Sequence, residues 1–196
     1  MFRYIGSMAV VCVLMMTSAV SFAGEMRIPI GLTYVSGMNE IVDLHEDNLR
    51  AEGNKVESTT VIPVGLSVHP NYETGFGLAY GAGIGPVMMI LGDTTFWNVP
   101  VGLDFRYSLP SRFNTSPYIR AGARYHIAGG DYVESSTPGF FGGIGMTFLR
   151  TRKVGMGFEV AVDTSSIEFE KKHEFAPNET EDIEPALITV SIYAVL

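Results

Sequence analysis

The sequence predicts an all-β protein, an eight-stranded antiparallel up-and-down transmembrane β-barrel, preceded by a secretory leader. Three observations lead there. Mean hydropathy is positive, at +0.21, yet past the first two dozen residues the chain holds no long apolar run. Its apolar residues alternate instead with glycine or polar residues in eight short segments. The connections between those segments alternate between short and mostly long.

The leader is read from residues 1–23. Met1-Phe-Arg3-Tyr carries one positive charge, and Ile5 to Val20 is apolar apart from Gly6, Ser7, Thr17 and Ser18. Ser21-Phe-Ala23 then sets small residues where a signal peptidase reads, the pattern of a cleaved signal peptide. No basic stop-transfer flank follows, which argues against a membrane-anchoring helix. Residues 24–196 remain as the barrel domain. The one cysteine, Cys12, lies in the leader, so no disulfide framework is expected beyond it. The chain carries 13 basic and 21 acidic residues, a net charge of −8. That acid excess argues against nucleic acid as a partner.

Strict alternation gives a strand one apolar face and one that is not. It is clearest from Trp97 to Tyr107, where Trp97, Val99, Val101, Leu103, Phe105 and Tyr107 share a face opposite Asn98, Pro100, Gly102, Asp104 and Arg106. Ile119, Ala121, Ala123, Tyr125 and Ile127 oppose Tyr118, Arg120, Gly122, Arg124 and His126. Met156, Phe158, Val160 and Val162 oppose Gly155, Gly157, Glu159, Ala161 and Asp163. The last segment, Ile188 to Leu196, alternates in the same way. Weaker segments run from Ile28 to Tyr34, Pro63 to His69, Phe76 to Gly85 and Phe140 to Phe148. Short turns are expected at His69–Gly75, Leu109–Ser116 and Leu149–Lys153. Longer loops fall at 37–58, 129–138 and 171–185, with a shorter one at 92–96. This asymmetry puts both termini on the short-turn, periplasmic side of a barrel.

A soluble β-sandwich or a lipocalin-type barrel also alternates, but its outer face is rich in lysine, glutamate and threonine. Here the second face is mostly glycine with few charges, which suits the crowded interior of a narrow, strongly curved barrel. Tyr34, Tyr80, Trp97, Phe105, Tyr107, Tyr125 and Phe148 stand near segment ends, where interfacial aromatic girdles form.

With the leader and the eight segments, stretches such as Ser116-Pro-Tyr-Ile-Arg-Ala-Gly-Ala-Arg-Tyr125 and Gly81-Ala-Gly-Ile-Gly-Pro86 resemble the outer-membrane β-barrel domain family. Its members include the OmpA transmembrane domain, OmpX and OmpW. The resemblance implies the bacterial outer membrane as location, and outer-membrane lipid, lipopolysaccharide and the barrel-insertion machinery as partners. Members often end in phenylalanine, where this chain has Leu196.

The side chains of an eight-stranded barrel are enough to fill its interior. The expected lumen charges are Asp104, Arg106, Arg120, Arg124, Glu159 and Asp163, with His126 beside them. Three cations and three anions out of water are expected to pair, giving a polar plug. The leading functional reading is therefore a structural, surface-interacting or envelope-stabilising barrel. The alternative is a narrow pore or carrier for small or hydrophobic solutes, supported by Val87, Met89 and Phe141 near the upper lumen. An outer-membrane lipid-modifying enzyme is the third reading. The family's deacylases carry a His-x-Ser pair facing lipid, and none of the four histidines here is followed by that pattern. No catalytic residue, resident metal or cofactor is expected. The first long loop carries Glu40, Asp43, Glu46, Asp47, Glu52 and Glu57, with apolar residues between them that allow a short helical turn. The last carries Glu174, Glu179, Glu181, Asp182 and Glu184. Divalent cations bridging lipopolysaccharide phosphates are the candidate ligands of these loops, although neither has the regular spacing of a calcium loop.

Overall fold

The alternating segments fold as a closed barrel because only closure pairs every strand on both sides. The structure is a computed structural model, and it describes residues 24–56, 64–91, 94–109, 114–149, 154–173, 179–185 and 188–196. The leader at 1–23 lies outside the described residues, as do Glu57, Glu174 and the centres of the turns at 110–113 and 150–153. Strand β1 (Gly24–Arg27) runs through Ile28 into β2 (Pro29–Val35), and β3 (Val64–Val68) through His69-Pro70 into β4 (Asn71–Thr74). Strands β5 (Leu78–Ile84) and β6 (Val87–Leu91) are one strand interrupted at Gly85-Pro86. Each of β7 (Thr94–Ser108) and β8 (Thr115–Gly130) is a single long strand.

The remaining wall strands are β10 (Gly139–Phe148), β11 (Gly155–Asp163) and β14 (Ile188–Val195); β9 belongs to a second sheet described below. Antiparallel ladders join β2 to β3, β3 to β5, β5 to β7, β7 to β8, β8 to β10, β10 to β11 and β11 to β14. The β14–β2 ladder, from Thr189↔Val35 to Val195↔Pro29, then closes the ring of eight.

Outward positions are apolar and exposed: Leu32, Leu66, Phe105, Ile119, Ile144 and Ile192 are each at least half exposed. Inward positions are polar or small, with Asp104, Arg106, Glu159 and Asp163 all buried. A wall apolar outside and polar inside inverts the plan of a soluble β-sandwich, whose apolar face is the inner one. The termini meet at one end, where Ile28 and Leu196 exchange backbone hydrogen bonds at 3.1 and 3.2 Å. The turns at that end are short. Gly77, at φ +90°, closes the first of them, and a Cβ there would stand 2.6 Å from the Ser108 carbonyl oxygen.

Three features depart from the sequence reading. The turn expected at His69–Gly75 is partly strand, because β4 continues the alternation past Pro70 and the chain reverses only at Gly75–Gly77. The loop at 37–58, read as holding at most a short helical turn, contains the helix α1 (Met38–Ala51). Met38, Ile41, Val42, His45 and Leu49 lie three or four residues apart and bury one face. Glu40 in the first turn and Arg50 in the last complement the helix dipole. Gly53, at φ +84°, ends the helix, and its neighbour Asn54 donates back to Leu49 O at 3.0 Å. Third, strand extends into the loops expected at 129–138 and 171–185. There β9 (Val133–Thr137), β12 (Ser166–Lys171) and β13 (Glu179–Ile183) form a three-stranded sheet in the order β13-β12-β9.

Helix α1 and this small sheet share an apolar core at the end opposite the termini. It contains Met38, Ile41, Val42 and Leu44 of α1, Val35, Met89 and Phe96 from the wall, and Ile167, Phe169 and Ile183 from the sheet. The barrel is capped there. Residue types explain why: these positions are apolar, and burial of each large side chain gains about 1.5–3 kcal/mol.

Candidate functional site in the barrel lumen

Inward-facing positions on β4, β7, β8 and β11 bring charged side chains into one column. At the terminal end, Glu73 accepts a hydrogen bond from Arg106 Nη2 at 3.1 Å and forms an ion pair with Arg27, whose Nε lies at 3.1 Å. Beside them the Tyr193 hydroxyl donates to that of Tyr118 at 2.7 Å, and Tyr118 donates to Glu159 Oε2 at 2.8 Å. At mid-height Arg120 bridges two carboxylates, Asp104 Oδ2 at 2.8 Å and Glu159 Oε1 at 2.9 Å. The same guanidinium lies 2.8 Å from Nδ1 of His69, which must therefore accept. Higher up, Arg124 meets Asp163 Oδ2 at 2.6 Å. Phe141 is stacked under both guanidiniums, 5.0 Å from Arg120 and 4.4 Å from Arg124. Arginine suits this column because its planar fork can serve two acceptors at once.

The structure thus gathers Asp104, Arg106, Arg120, Arg124, His126, Glu159 and Asp163 in the lumen, joined by residues that the sequence reading left without a role. Glu73 sat inside a segment read as a turn, and Arg27 just before the first segment. Tyr118 shares its face with Arg120 and Arg124, but nothing in the sequence marks its hydroxyl, that of Tyr193 or the His69 ring as partners of the charges. The signal was available for Glu73, since alternation runs on through Asn71, Glu73 and Gly75.

His126 heads a second cluster. Its Nε2 lies 2.8 Å from Ser165 Oγ and its Nδ1 3.0 Å from the Asn98 side chain, a serine–histidine–amide sequence of contacts. Such an order would suit nucleophilic catalysis. Ser165 is bound differently, however. Its Oγ lies 2.5 Å from Asp163 Oδ1, which also accepts its backbone N–H at 2.8 Å. A serine has one proton, and the carboxylate is the stronger acceptor, so His126 is left to donate to Oγ rather than to activate it. Ser165 is fully buried. The cluster holds the top of β11 against β8. Among the described residues no three acidic, histidine or cysteine side chains gather in a way that would hold a metal ion.

A cavity of about 50 Å³ lies above Arg120, lined among others by Thr33, Ser67, Asn98, Arg124, His126 and Phe141. Its lining extends to Leu66 and Ile84, whose side chains are outward and about half exposed. The wall is thin there for a visible reason. The β3–β5 ladder is the single pair Val68↔Ile84, after which Gly85-Pro86 interrupts the strand, and proline offers no N–H. Val87 covers the breach, its Cγ2 standing 2.7 Å from where a Cβ on Gly65 would be.

No protein family's sequence profile matches this chain, and no curated protein does. Among solved structures it is similar to the outer membrane protein OprG from Pseudomonas aeruginosa, at 12% identity, covering 89% of this chain and 95% of that one with a TM-score of 0.57. What the two share is the fold. A second structure, Neisserial surface protein A (NspA), is 13% identical over 87% of this chain and 94% of that one, with a TM-score of 0.47. The eight-stranded antiparallel barrel is thus found both in this chain's own ladders and in a solved outer-membrane protein.

Proposed function

We infer that the protein is an integral outer-membrane barrel with a structural, surface-interacting or envelope-stabilising role, its lumen closed by a polar plug. The observation that carries this reading is the continuous column of paired charges. Arg27, Arg106, Arg120 and Arg124 meet Glu73, Asp104, Glu159 and Asp163, four cations against four anions. A column neutral in sum and bonded side to side supports a closed lumen and favours one arrangement of the wall. The apolar outer face supports lipid and lipopolysaccharide as surroundings, and insertion by the barrel-insertion machinery follows from that location. No catalytic step belongs to this role.

The test is fractionation followed by electrical recording. The protein should sediment with outer membranes, change mobility on boiling in a denaturing gel, and give no stepwise conductance in a planar bilayer. A soluble periplasmic protein without a heat-dependent shift would remove the membrane reading. Discrete conductance steps would remove the plug.

A second reading, a carrier for small or hydrophobic solutes, is favoured by the cavity that runs from the lipid-facing Leu66 and Ile84 to Arg120. It requires uptake of such a solute into proteoliposomes without ionic current, a result the first reading does not produce.

A further inference from the structure

We propose that helix α1 is an acid-released lid over the luminal cavity, with His45 as its sensor. The lid and the cavity share a boundary. Val35 and Val87 line the cavity and also pack against the apolar core beneath α1, so lifting the helix removes the packing that holds these two side chains over it.

The geometry around His45 singles it out. The residue is fully buried, and its ring is enclosed by Phe96, Tyr132 and Phe169 at centroid distances of 6.2, 5.3 and 6.0 Å, all edge-on. Nδ1 donates to the Ile41 carbonyl at 2.8 Å, which leaves Nε2 as the unprotonated nitrogen. No hydrogen bond reaches Nε2, which is buried among these rings. Adding a proton there places a charge in an apolar box, at a cost the undocked helix does not bear.

The charged groups on the surrounding elements do not cancel this. Asp131, on the turn after β8, favours protonation through both its charge and its backbone carbonyl, but its carboxylate is already held by the Thr95 N–H at 2.7 Å and both effects are weaker than burial. On α1 itself, Glu46 is paired with Arg50 at 2.8 Å. Beyond Tyr132, Glu52 is bonded to Lys172. Next to Phe169 on β12, Glu170 accepts Asn48 Nδ2 through its carbonyl, and Lys171 is paired with Glu181 at 2.7 Å.

Burial therefore dominates and holds the docked ring's pKa below the ordinary histidine value of 6.5, against the weaker pull of the Ile41 carbonyl and Asp131. The direction follows from linkage. The undocked helix binds a proton more readily, so docking is fully favoured above the ordinary histidine value and weakens as pH falls through it. The sensor is independent of whether the lumen conducts.

The experiment uses the whole barrel purified from membranes, with spin labels at Asp43→Cys on the exposed face of α1 and Glu134→Cys on β9. At about pH 7.5 one short distance population is expected, and at about pH 5 a second one longer by roughly a helix diameter, ~10 Å. It should reverse on returning to neutral pH. His45→Phe fills the box without a titrating nitrogen and should keep the short population at both values. Wild-type distances unchanged at about pH 5, or equal opening in His45→Phe, would overturn the proposal. Should His45→Phe not fold, the wild-type series decides alone. Opening confined below about pH 4.5, where carboxylates titrate, overturns it, and opening between about pH 5 and 6.5 supports it.

Discussion

Asn48 on α1 donates its Nδ2 to the Glu170 carbonyl of β12 at 2.7 Å, binding a loop helix to the small sheet across more than a hundred residues of sequence. The same side chain accepts the Lys172 backbone N–H through Oδ1 at 2.8 Å, so a single fully buried amide completes the strand's edge. Asn48→Ala removes both bonds, and at roughly 1 kcal/mol each the docking of α1 loses about 2 kcal/mol. Amide exchange over residues 38–51 is expected to speed up by roughly thirtyfold, while the barrel keeps its heat-dependent gel shift. Asn48→Asp should restore little, because it sets a carboxylate oxygen against the Glu170 carbonyl. Unchanged exchange in Asn48→Ala would mean that the apolar core alone holds the helix.

At mid-lumen, Arg120 and Glu159 are both largely buried and 2.9 Å apart. Removing Glu159 leaves Arg120 paired with Asp104 alone and takes the acceptor from Tyr118, so Glu159→Leu is expected to lower the stability of refolded barrel in vesicles, read from its urea midpoint, by about 1–3 kcal/mol. Arg120→Met combined with Glu159→Leu should lower it further, since Asp104 is then a buried charge without its arginine, a loss of about 3–5 kcal/mol. Equal destabilisation by the single and double variants would mean that Asp104 gains nothing from Arg120.

Glycine on the inner face leaves room for the tyrosines near the terminal end of the plug. A Cβ on Gly145 would stand 2.3 Å from Tyr118 Oη, and one on Gly157 2.1 Å from Tyr193 Cζ. Those rings are bonded to each other and to Glu159, so they cannot swing away without breaking the column. Gly145→Ala and Gly157→Ala should each destabilise the barrel by about 1–3 kcal/mol, as overpacking does. Gly142→Ala is the control. Its nearest neighbour would be the Arg120 carbonyl at 3.9 Å, an ordinary contact, and its midpoint should stay within error of wild type.

The barrel was legible because period-two alternation is a local signal, and each of the eight wall segments carries it. The charges Asp104, Arg120, Arg124, Glu159 and Asp163 were legible for the same reason, since face follows from register. Which charge meets which was not, because Arg120 reaches Asp104 on one neighbouring strand and Glu159 two strands away through side-chain length rather than sequence spacing. Helix α1 was written in the chain as well, with apolar spacing from Met38 to Leu49 and Gly53 as its stop. Six acidic residues between 40 and 57 mask that spacing. The acids are largely on the exposed face, and the helix forms because its other face finds Phe96 and Phe169. No local pattern reveals that partner. The small sheet is hidden for a related reason: β9 and β12, separated in sequence by two strands of the barrel wall, meet only where that wall brings them together.

Ser165 offers a sharp test of whether this lumen does chemistry. Its hydroxyl has two claimants, Asp163 Oδ1 at 2.5 Å and His126 Nε2 at 2.8 Å. If the hydroxyl donates its proton to the carboxylate, its oxygen is an acceptor toward His126 and attacks nothing. A serine-directed fluorophosphonate should then leave the folded protein unlabelled. Ser165→Ala should lower stability, by about 1–3 kcal/mol, because His126 and Asp163 both lose a buried partner. Stoichiometric labelling that disappears in Ser165→Ala would reverse the assignment, making His126 a base, Asn98 its orienting group and the upper cavity the place where substrate enters. The two outcomes differ in a single proton, and the carboxylate, the stronger acceptor, draws the hydroxyl to the Asp163 side.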